Sequence, residues 1–440
     1  MKKVGIVICN YNKQEYIMNC IQSILESSFR DFDIYVVDNA STDDSVKLIK
    51  ANYADKVTLI INEENLGGSG GFNSGLKRAL QGQYQYFMCV DNDIVMEKDN
   101  IEKLYLFLES HPQVGIVGSK ICRMKYPDRL QELGAMLDFE NCTHVPLYKD
   151  YLDNTELPQI QYCDYVPACS LMIRREVIDK IGIMPEENFI YWDDMEWCYK
   201  AKMAGYQVAA YSQARVFHDM GTNSGMTYFS TYYFWRNKIK FFCKYTPEEK
   251  KEKMVNALLE SLFMTMYGCY YKGKKNQISI MVHAFDDAVH GKLGKAAEGV
   301  ILPKDEIEDR LSKLLASHSS ILIEYNGNVK LLQKILNCYK QCNQDADVTI
   351  CADEALIEGV KTQSSGIKVV GKQEDMHAEL HLVMCEHVSK IGDSSLSKVY
   401  IDPYSNLLET ARDVQHFSNV DYNKRVFIEM WKVLLLDIRE

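Results

Sequence analysis

No C-x-x-C pair occurs among the 14 cysteines of this 440-residue chain. Their scatter, as in Cys9, Cys20, Cys89, Cys122 and Cys163, argues against a zinc site or a disulfide framework and for buried, reduced thiols. No uninterrupted apolar run approaches the ~20 residues of a membrane span. The basic start Met1-Lys2-Lys3 leads into an apolar run that stops at Asn10, too short for a secretory signal. An excess of positive charge is also absent. The net charge is -11, which argues against nucleic acid as a partner, since that needs a basic face. A cytoplasmic protein is the expectation. With 47% hydrophobic and 25% charged residues the composition is ordinary for a globular chain, and the length indicates two or three domains.

What is present centres on Tyr86-Phe-Met-Cys-Val-Asp91-Asn92-Asp93. The first five residues read as a buried strand, and Asp91 and Asp93 follow at its carboxyl end. Residues i and i+2 of a strand point the same way, so the two acids face one spot with Asn92 turned aside. Converging carboxylates repel unless a cation lies between them. Mg²⁺ or Mn²⁺ holding a diphosphate is the economical candidate, because both prefer oxygen ligands and share them with phosphates. A polar turn after a strand accounts for the same residues with no ion at all.

The surrounding pattern is strand, helix, strand, helix: Val4–Cys9, Gln14–Glu26, Ile34–Val37, a helix opening near Ser41–Ser45, and Val57–Ile61. A glycine-rich stretch, Asn65–Gly71, then precedes a short helix to about Leu80. This rhythm predicts an α/β layer with a mostly parallel sheet, and ligands bind beyond the carboxyl ends of such strands. Asn10, Asp38, Asn65 and Asp91 to Asp93 all fall there. The glycine stretch reads either as a diphosphate cradle or as a plain flexible loop. It lacks the third small residue of a dinucleotide fingerprint and the Lys and hydroxyl of a P-loop. An irregular stretch, Arg123 to Cys163, is where an acceptor-facing insertion would sit.

A second constellation is Trp192-Asp193-Asp194-Met-Glu196. It reads either as an acidic first helical turn favoured by the dipole or as a sugar site, with aromatic faces for stacking and a carboxylate to accept a hydroxyl proton. Ala214–His218 is a strand that ends in a histidine.

In this order, Asn10-Tyr-Asn12, Val37-Asp38-Asn39-Ala-Ser-Thr-Asp43, Asn65-x-Gly-Gly-x-Gly-Gly71, Asp91-x-Asp93, Trp192-Asp-Asp-x-Glu196 and His218 resemble family 2 glycosyltransferases. The likeness is to the galactofuranosyltransferase and rhamnosyltransferase-like branch, over most of the chain ahead of Pro303. It implies a GT-A fold, a nucleotide-diphosphate sugar donor such as UDP-galactofuranose or dTDP-rhamnose, Mn²⁺ or Mg²⁺, a glycan acceptor that is lipid-linked in this branch, and inversion at the anomeric carbon. By position, Asp91, Asp93 and His218 correspond to the metal site. Asn10, Asn12, Asp38, Asn65, Gly67, Gly68 and Asn92 correspond to the donor pocket. Asp194 corresponds to the general base, with Trp192, Asp193 and Glu196 on the acceptor side. A non-catalytic sugar-binding module and a nucleotidyltransferase are the competing classes; the latter opens with a Gly-rich, Arg- and Lys-containing loop after its first strand, where Asn10-Tyr-Asn-Lys13 has no glycine.

Expected domains are a catalytic domain over 1–225, a helical extension over 226–302 and a small α/β domain of unread role over 303–440. In the extension, residues 228–245 mix aromatics with Arg and Lys. Docking on the inner face of a membrane and packing on the catalytic domain explain this mixture equally. A homo-oligomer is compatible with the chain.

Overall fold

A computed structural model describes residues 2–154, 156–219, 226–343, 345, 347–363, 367–372, 377–391 and 397–438. The chain divides into two compact units. The first comprises residues 1–258, 279–303 and 432–440; the second comprises 259–278 and 304–431.

The first unit opens with β1 (Val4–Asn10), α1 (Gln14–Leu25), β2 (Phe32–Asp38), α2 (Ser45–Tyr53), β3 (Thr58–Ile61), α3 (Gly67–Ala79) and β4 (Tyr86–Asp91). It continues through β5 (Ile94–Met96), α4 (Asn100–Ser110), β6 (Val114–Arg123), β7 (Leu130–Glu132), β8 (Ala135–Asp138), β9 (Thr143–Pro146) and β10 (Ile160–Cys163). Then come β11 (Ser170–Arg174), α5 (Arg175–Ile181), α6 (Asp193–Met203), β12 (Gln207–His218) and α7 (Tyr228–Tyr245). The main sheet runs β10-β12-β6-β11-β4-β1-β2-β3. β1, β2, β3 and β4 are parallel neighbours, as are β6 and β12, while β10 and β11 run against their partners. The sheet is thus mixed and mostly parallel, as the alternating pattern predicts. Near-continuous apolar strands are covered on both faces: Val4, Ile6, Ile8, Val36, Met88 and Val90 pack against Ile17, Ile21 and Ile24 of α1.

The glycine stretch is not a flexible loop. Residues 67–79 are helix α3, and its glycines allow it to lie on β1. A Cβ on Gly71 would sit 2.3 Å from Cys9 Sγ, and one on Gly75 would sit 2.3 Å from Val7 Cγ1. Gly67 begins the helix at φ +77, beneath the Phe189 carbonyl. The expected cap at Ser41–Ser45 also differs. α2 begins at Ser45, and its N-cap Asp44 makes no side-chain cap; Asp43 Oδ1 accepts from Ser45 N at 3.0 Å, while Ser41 and the other Asp43 oxygen reach the turn after β1. Ser41 Oγ accepts from Asn12 N at 3.0 Å, and Asp43 accepts from Gln14 N at 3.0 Å.

Helix α7 takes the packing option. Tyr232, Tyr233, Trp235, Phe241 and Phe242 are buried, together with Arg236 and Lys238, so these side chains do not form a membrane-facing surface. Among the described residues no helix is long and apolar enough to cross a membrane, and the 14 cysteines are all unpaired thiols.

The second unit contains α10 (Arg310–Ala316), β13 (Ser320–Glu324), α11 (Val329–Cys342), β14 (Asp347–Ala352), α12 (Glu354–Gln363) and β15 (Lys368–Gly371). They are followed by β16 (Leu380–Met384), β17 (Val399–Ile401), β18 (Leu407–Leu408), α13 (Ala411–Ser418) and most of α14 (Val420–Leu436). Helices α8 (Lys251–Tyr271) and α9 (Lys275–Val289) contribute residues to both units. The second sheet runs β15-β14-β13-β16-β17-β18 and is parallel except for β18. Its order reverses between β13 and β16.

Candidate active site

Strand register sets the site. Asn10 of β1 pairs with Asp38 of β2, and Cys9 with Asp91 of β4, so the three polar strand ends are level. β5 turns back against β12 and pairs Ile94 with His218. That pairing carries the histidine to Asp93, 125 residues away in sequence. His218 Nε2 lies 3.2 Å from Asp93 Oδ1, and its Nδ1 meets Gln131 Oε1 at 3.0 Å. Ligand atoms of Asp91, Asp93 and His218 all fall within 4.8 Å of one another. Lys13 Nζ closes the other side of Asp93 at 3.1 Å.

The donor-side residues form one hydrogen-bonded chain. Asn92 is turned away from the acid pair, and its amide donates to Asn10 Oδ1 at 2.9 Å. Asn10 donates to Asp38 Oδ1 at 3.1 Å, and Asp38 Oδ2 accepts from Ser41 N at 2.9 Å. Asn12, at φ 50, accepts from Thr42 N at 2.7 Å. Asn39, absent from the sequence-level candidates, ties the Asn65 turn to β2. Its amide donates to Asn65 Oδ1 at 3.1 Å and to the Gly67 carbonyl at 2.8 Å. Beside Tyr11 and Asn65 lies a cavity of about 410 Å³ lined also by Phe189, Tyr233 and Lys295.

The second constellation is held in place by α7. Phe189, Tyr191 and Trp192 all have positive φ, at 65, 65 and 67. Such backbone costs on the order of 1–3 kcal/mol per residue and persists only where the surroundings over-determine it. Asn237 does so, donating to the carbonyls of Asn188, Ile190 and Tyr191 at 2.8, 2.9 and 2.9 Å. Arg236 adds bonds to Asn188 O at 3.1 Å and Gly294 O at 2.6 Å. The turn launches α6 with Asp193 and Asp194 in its first turn. A Cβ on Gly68 would lie 3.7 Å from Asp193 Oδ2, which puts Asp193 over the start of α3. Asp194 accepts from Tyr165 Oη at 3.2 Å, from Ala168 N at 3.1 Å and from Met195 N at 2.9 Å.

These groups share one electrostatic neighbourhood. Burial raises the Asp91 carboxyl; Asp93 and Asp194 push it further, while His218 and Lys13 oppose them. Burial likewise raises Asp193, with the charges of Asp194 and Asp91 adding to it. Burial raises Asp194 against its hydrogen-bond donors. Asp93 goes the other way: despite burial, His218 and Lys13 hold it below the usual carboxylate range. Glu132 of β7 belongs to the same group and was missed by sequence reasoning, although it lies in the irregular stretch expected to face an acceptor. Burial pushes it up to about 7, with Asp194 adding and His218 opposing. Its Oε2 is buried without a hydrogen-bond partner.

Two residues expected on the acceptor side stand elsewhere. Glu196 is 1% exposed and turned toward α7, with Lys244 Nζ and Tyr245 Oη at 2.9 Å and Lys240 Nζ at 3.5 Å. Trp192 is 1% exposed, enclosed by Phe234, Phe241, Phe242 and His144. Both support the turn rather than line an open face.

The donor set fits a divalent cation. Two carboxylates and an imidazole within 4.8 Å suit Mn²⁺ or Mg²⁺ completed by phosphate oxygens. An added positive charge would relieve the repulsion that raises Asp91.

Comparison with known proteins bears on the same stretch. Residues 5–182 match the model of glycosyl transferase family 2. This segment is a family 2 glycosyltransferase domain. The chain is 26% identical over 195 residues to an uncharacterised glycosyltransferase of Nostoc sp., covering 44% of this chain and 57% of that one. It is 26% identical over 174 residues to galactofuranosyltransferase GlfT2 of Mycobacterium tuberculosis, covering 36% and 27%. The chain therefore spans little more than half of one relative and about a quarter of the other. Among solved structures, GalNAc-T7 with UDP, GalNAc and Mn²⁺ superposes with a TM-score of 0.47 at 15% identity, over 58% of this chain and 50% of that one. The family match stops at residue 182, ahead of Asp193, Asp194 and His218, so the place of these three in the site rests on geometry.

Proposed function

We propose that the chain is a metal-dependent, inverting hexosyltransferase. It moves a sugar from a nucleotide-diphosphate donor, UDP-galactofuranose or dTDP-rhamnose in type, to a hydroxyl of a glycan in cell-surface polysaccharide synthesis. One observation carries the reading. Asp91 and Asp93, Glu132, and Asp193 and Asp194, from three separate stretches, are gathered with His218 from a fourth where burial works against the ionisation of each acid. Perturbed acids concentrated at the carboxyl rim of a parallel sheet mark functional sites. A module that only bound sugars would have no need of such a set.

When bound, a divalent cation offsets charge growing on a departing diphosphate; Asp91, Asp93 and His218 would hold it. Asn10, Asp38 and Asn92 form the wall beside it. Asp194 is fixed by Tyr165 and by the Ala168 and Met195 amides, and its carboxylate takes the proton from the acceptor hydroxyl as that oxygen attacks the sugar carbon. One base and one displacement invert the configuration, in contrast to two-step retention through a covalent intermediate.

The test is sugar transfer and release from radiolabelled UDP- and dTDP-sugars with Mn²⁺ and with EDTA, after a thermal-shift screen of the same donors. Metal-dependent turnover of one donor supports the reading. Binding of a donor without any turnover would leave the non-catalytic class.

A further inference from the structure

The second unit carries a cavity of about 1030 Å³ that is open to solvent. Its walls are the turn after α8, the segment leading into α10, one face of α11 and the turn at Tyr404 and Ser405. That volume is at the upper end of small-ligand sites and far exceeds the needs of a single ion.

Lys272, Lys274, Lys330 and Lys334 line it. Lys272 Nζ donates to the Tyr404 carbonyl at 2.8 Å, and Lys334 Nζ to the Ser405 hydroxyl; both partners are neutral. Among the described residues, none of the four ammonium groups has a carboxylate within 4.0 Å. Two of the three acids on the wall are already engaged. Asp309 caps α10 through Ser312 N at 3.2 Å and Ser312 Oγ at 2.6 Å, and Glu308 pairs with Lys313 at 2.6 Å; Glu306 is the third. Arg310 is neutralised by Glu409 and Asp413 at 2.8 and 2.9 Å. Burial and the cations of Lys274 and Lys334 depress Lys272, with Asp402 opposing, so Lys272 stands close enough to both to be repelled by them. A chain of net charge -11 has acids in excess, yet this wall carries five cations to three acids, and Asp309 and Asp402 act on Lys334 and Lys272 only through space. On α11, Gln333 and Asn337 also line the wall; with Lys330 and Lys334 they form one stripe at helical spacing.

We propose that this cavity binds a sugar phosphate, with the lysines receiving the phosphate and the α11 amides the sugar hydroxyls. The ligand is either the free phosphate ester or the same unit within a phosphodiester-linked glycan. The site needs no divalent cation and is independent of the transferase reading.

The experiment is calorimetric titration of the full chain in EDTA, in an Asp91→Asn/Asp93→Asn background that sets the first unit's acid cluster aside. The probes are glucose 1-phosphate, glucose and a phosphodiester-linked oligosaccharide. Glucose 1-phosphate is expected to bind saturably and glucose not to. Lys330→Gln/Lys334→Gln, on exposed positions, is expected to weaken binding at least tenfold, about 1.4 kcal/mol, at an unchanged melting temperature. Lys334→Arg is expected to retain binding. Tighter binding of the oligosaccharide than of the monomer assigns the glycan source; equal binding assigns the free ester. Absence of saturable binding to the starting protein, or equal binding by the Gln pair, overturns the proposal.

Discussion

Lys13 Nζ lies 3.1 Å from Asp93 Oδ2 while His218 Nε2 lies 3.2 Å from Asp93 Oδ1. One carboxylate is thus bracketed by the only lysine in the turn after β1 and by the last residue of β12. Lys13 occupies one side of Asp93 with a charge that a divalent cation would have to share or displace. Removing it removes a repulsion: two unit charges 4 Å apart interact by about 4 kcal/mol at an effective dielectric of 20. Lys13→Ala should therefore tighten Mn²⁺ binding to the nucleotide-free protein by tenfold or more, read by manganese electron paramagnetic resonance. Weaker binding in the variant would show that Lys13 supports the site instead.

Asp194→Asn should reduce transfer by a factor of about 10²–10⁴, the usual worth of a positioned general base. Donor binding and melting temperature should stay close to those of the parent protein. Near-normal turnover in the variant removes Asp194 from the base role.

The pH dependence follows from the same residue. Asp194 must be ionised to accept a proton, and burial raises its pKa. Activity should rise with pH through an apparent pKa above the ordinary aspartate value of about 3.9. The check is kcat/KM against pH; full activity held down to that ordinary value contradicts the assignment.

Glu196 predicts a loss of stability rather than of chemistry. Burial works against its ionisation, yet Lys240 and Lys244 hold it below the usual glutamate range. A depressed folded-state pKa contributes stability above the unfolded value of about 4.3 and loses it as pH falls through the folded value. Glu196→Gln removes the acid that Lys240 and Lys244 share, but Lys240 keeps Glu187 at 3.2 Å and Lys244 is 40% exposed, so the change should cost about 1–2 kcal/mol, seen in chemical denaturation at neutral pH. The gap to the parent should narrow toward acid pH. Lost activity at unchanged stability would return Glu196 to the acceptor side.

Gly75→Ala should destabilise, although the same change in most helices gains up to about 1 kcal/mol. The new Cβ would lie 2.3 Å from Val7 Cγ1 and 3.0 Å from Val37 Cγ2, and overpacking of this kind costs about 1–3 kcal/mol. A raised unfolding midpoint would mean that α3 can move off β1 freely.

The acids and strand ends were legible because they depend on local rules. Side-chain alternation aims Asp91 and Asp93 at one spot, and apolar runs closed by Asn or Asp mark the carboxyl ends of parallel strands. The glycine stretch misled because glycine serves loops and close packing alike; only the approach of α3 to Cys9 and Val7 separates the two. Glu132, Lys13 and Tyr165 carried no motif and became visible only beside their neighbours. Glu196 and Trp192 sit in the right motif but face α7, a direction that depends on a helix about 40 residues downstream. The aromatic and basic composition of that helix allowed two surfaces, and burial selected one.

By itself the amino-acid order determined the alternation of strands and helices and the polar rim of the first sheet, since burial of apolar runs and side-chain period are short-range properties. Motif resemblance named His218 and Asp194, but only tertiary structure decided how His218 reaches Asp93, which groups hold Asp194, and that Glu196 turns away. Each of these depends on strand register or helix packing between segments far apart in the chain, where no local preference acts.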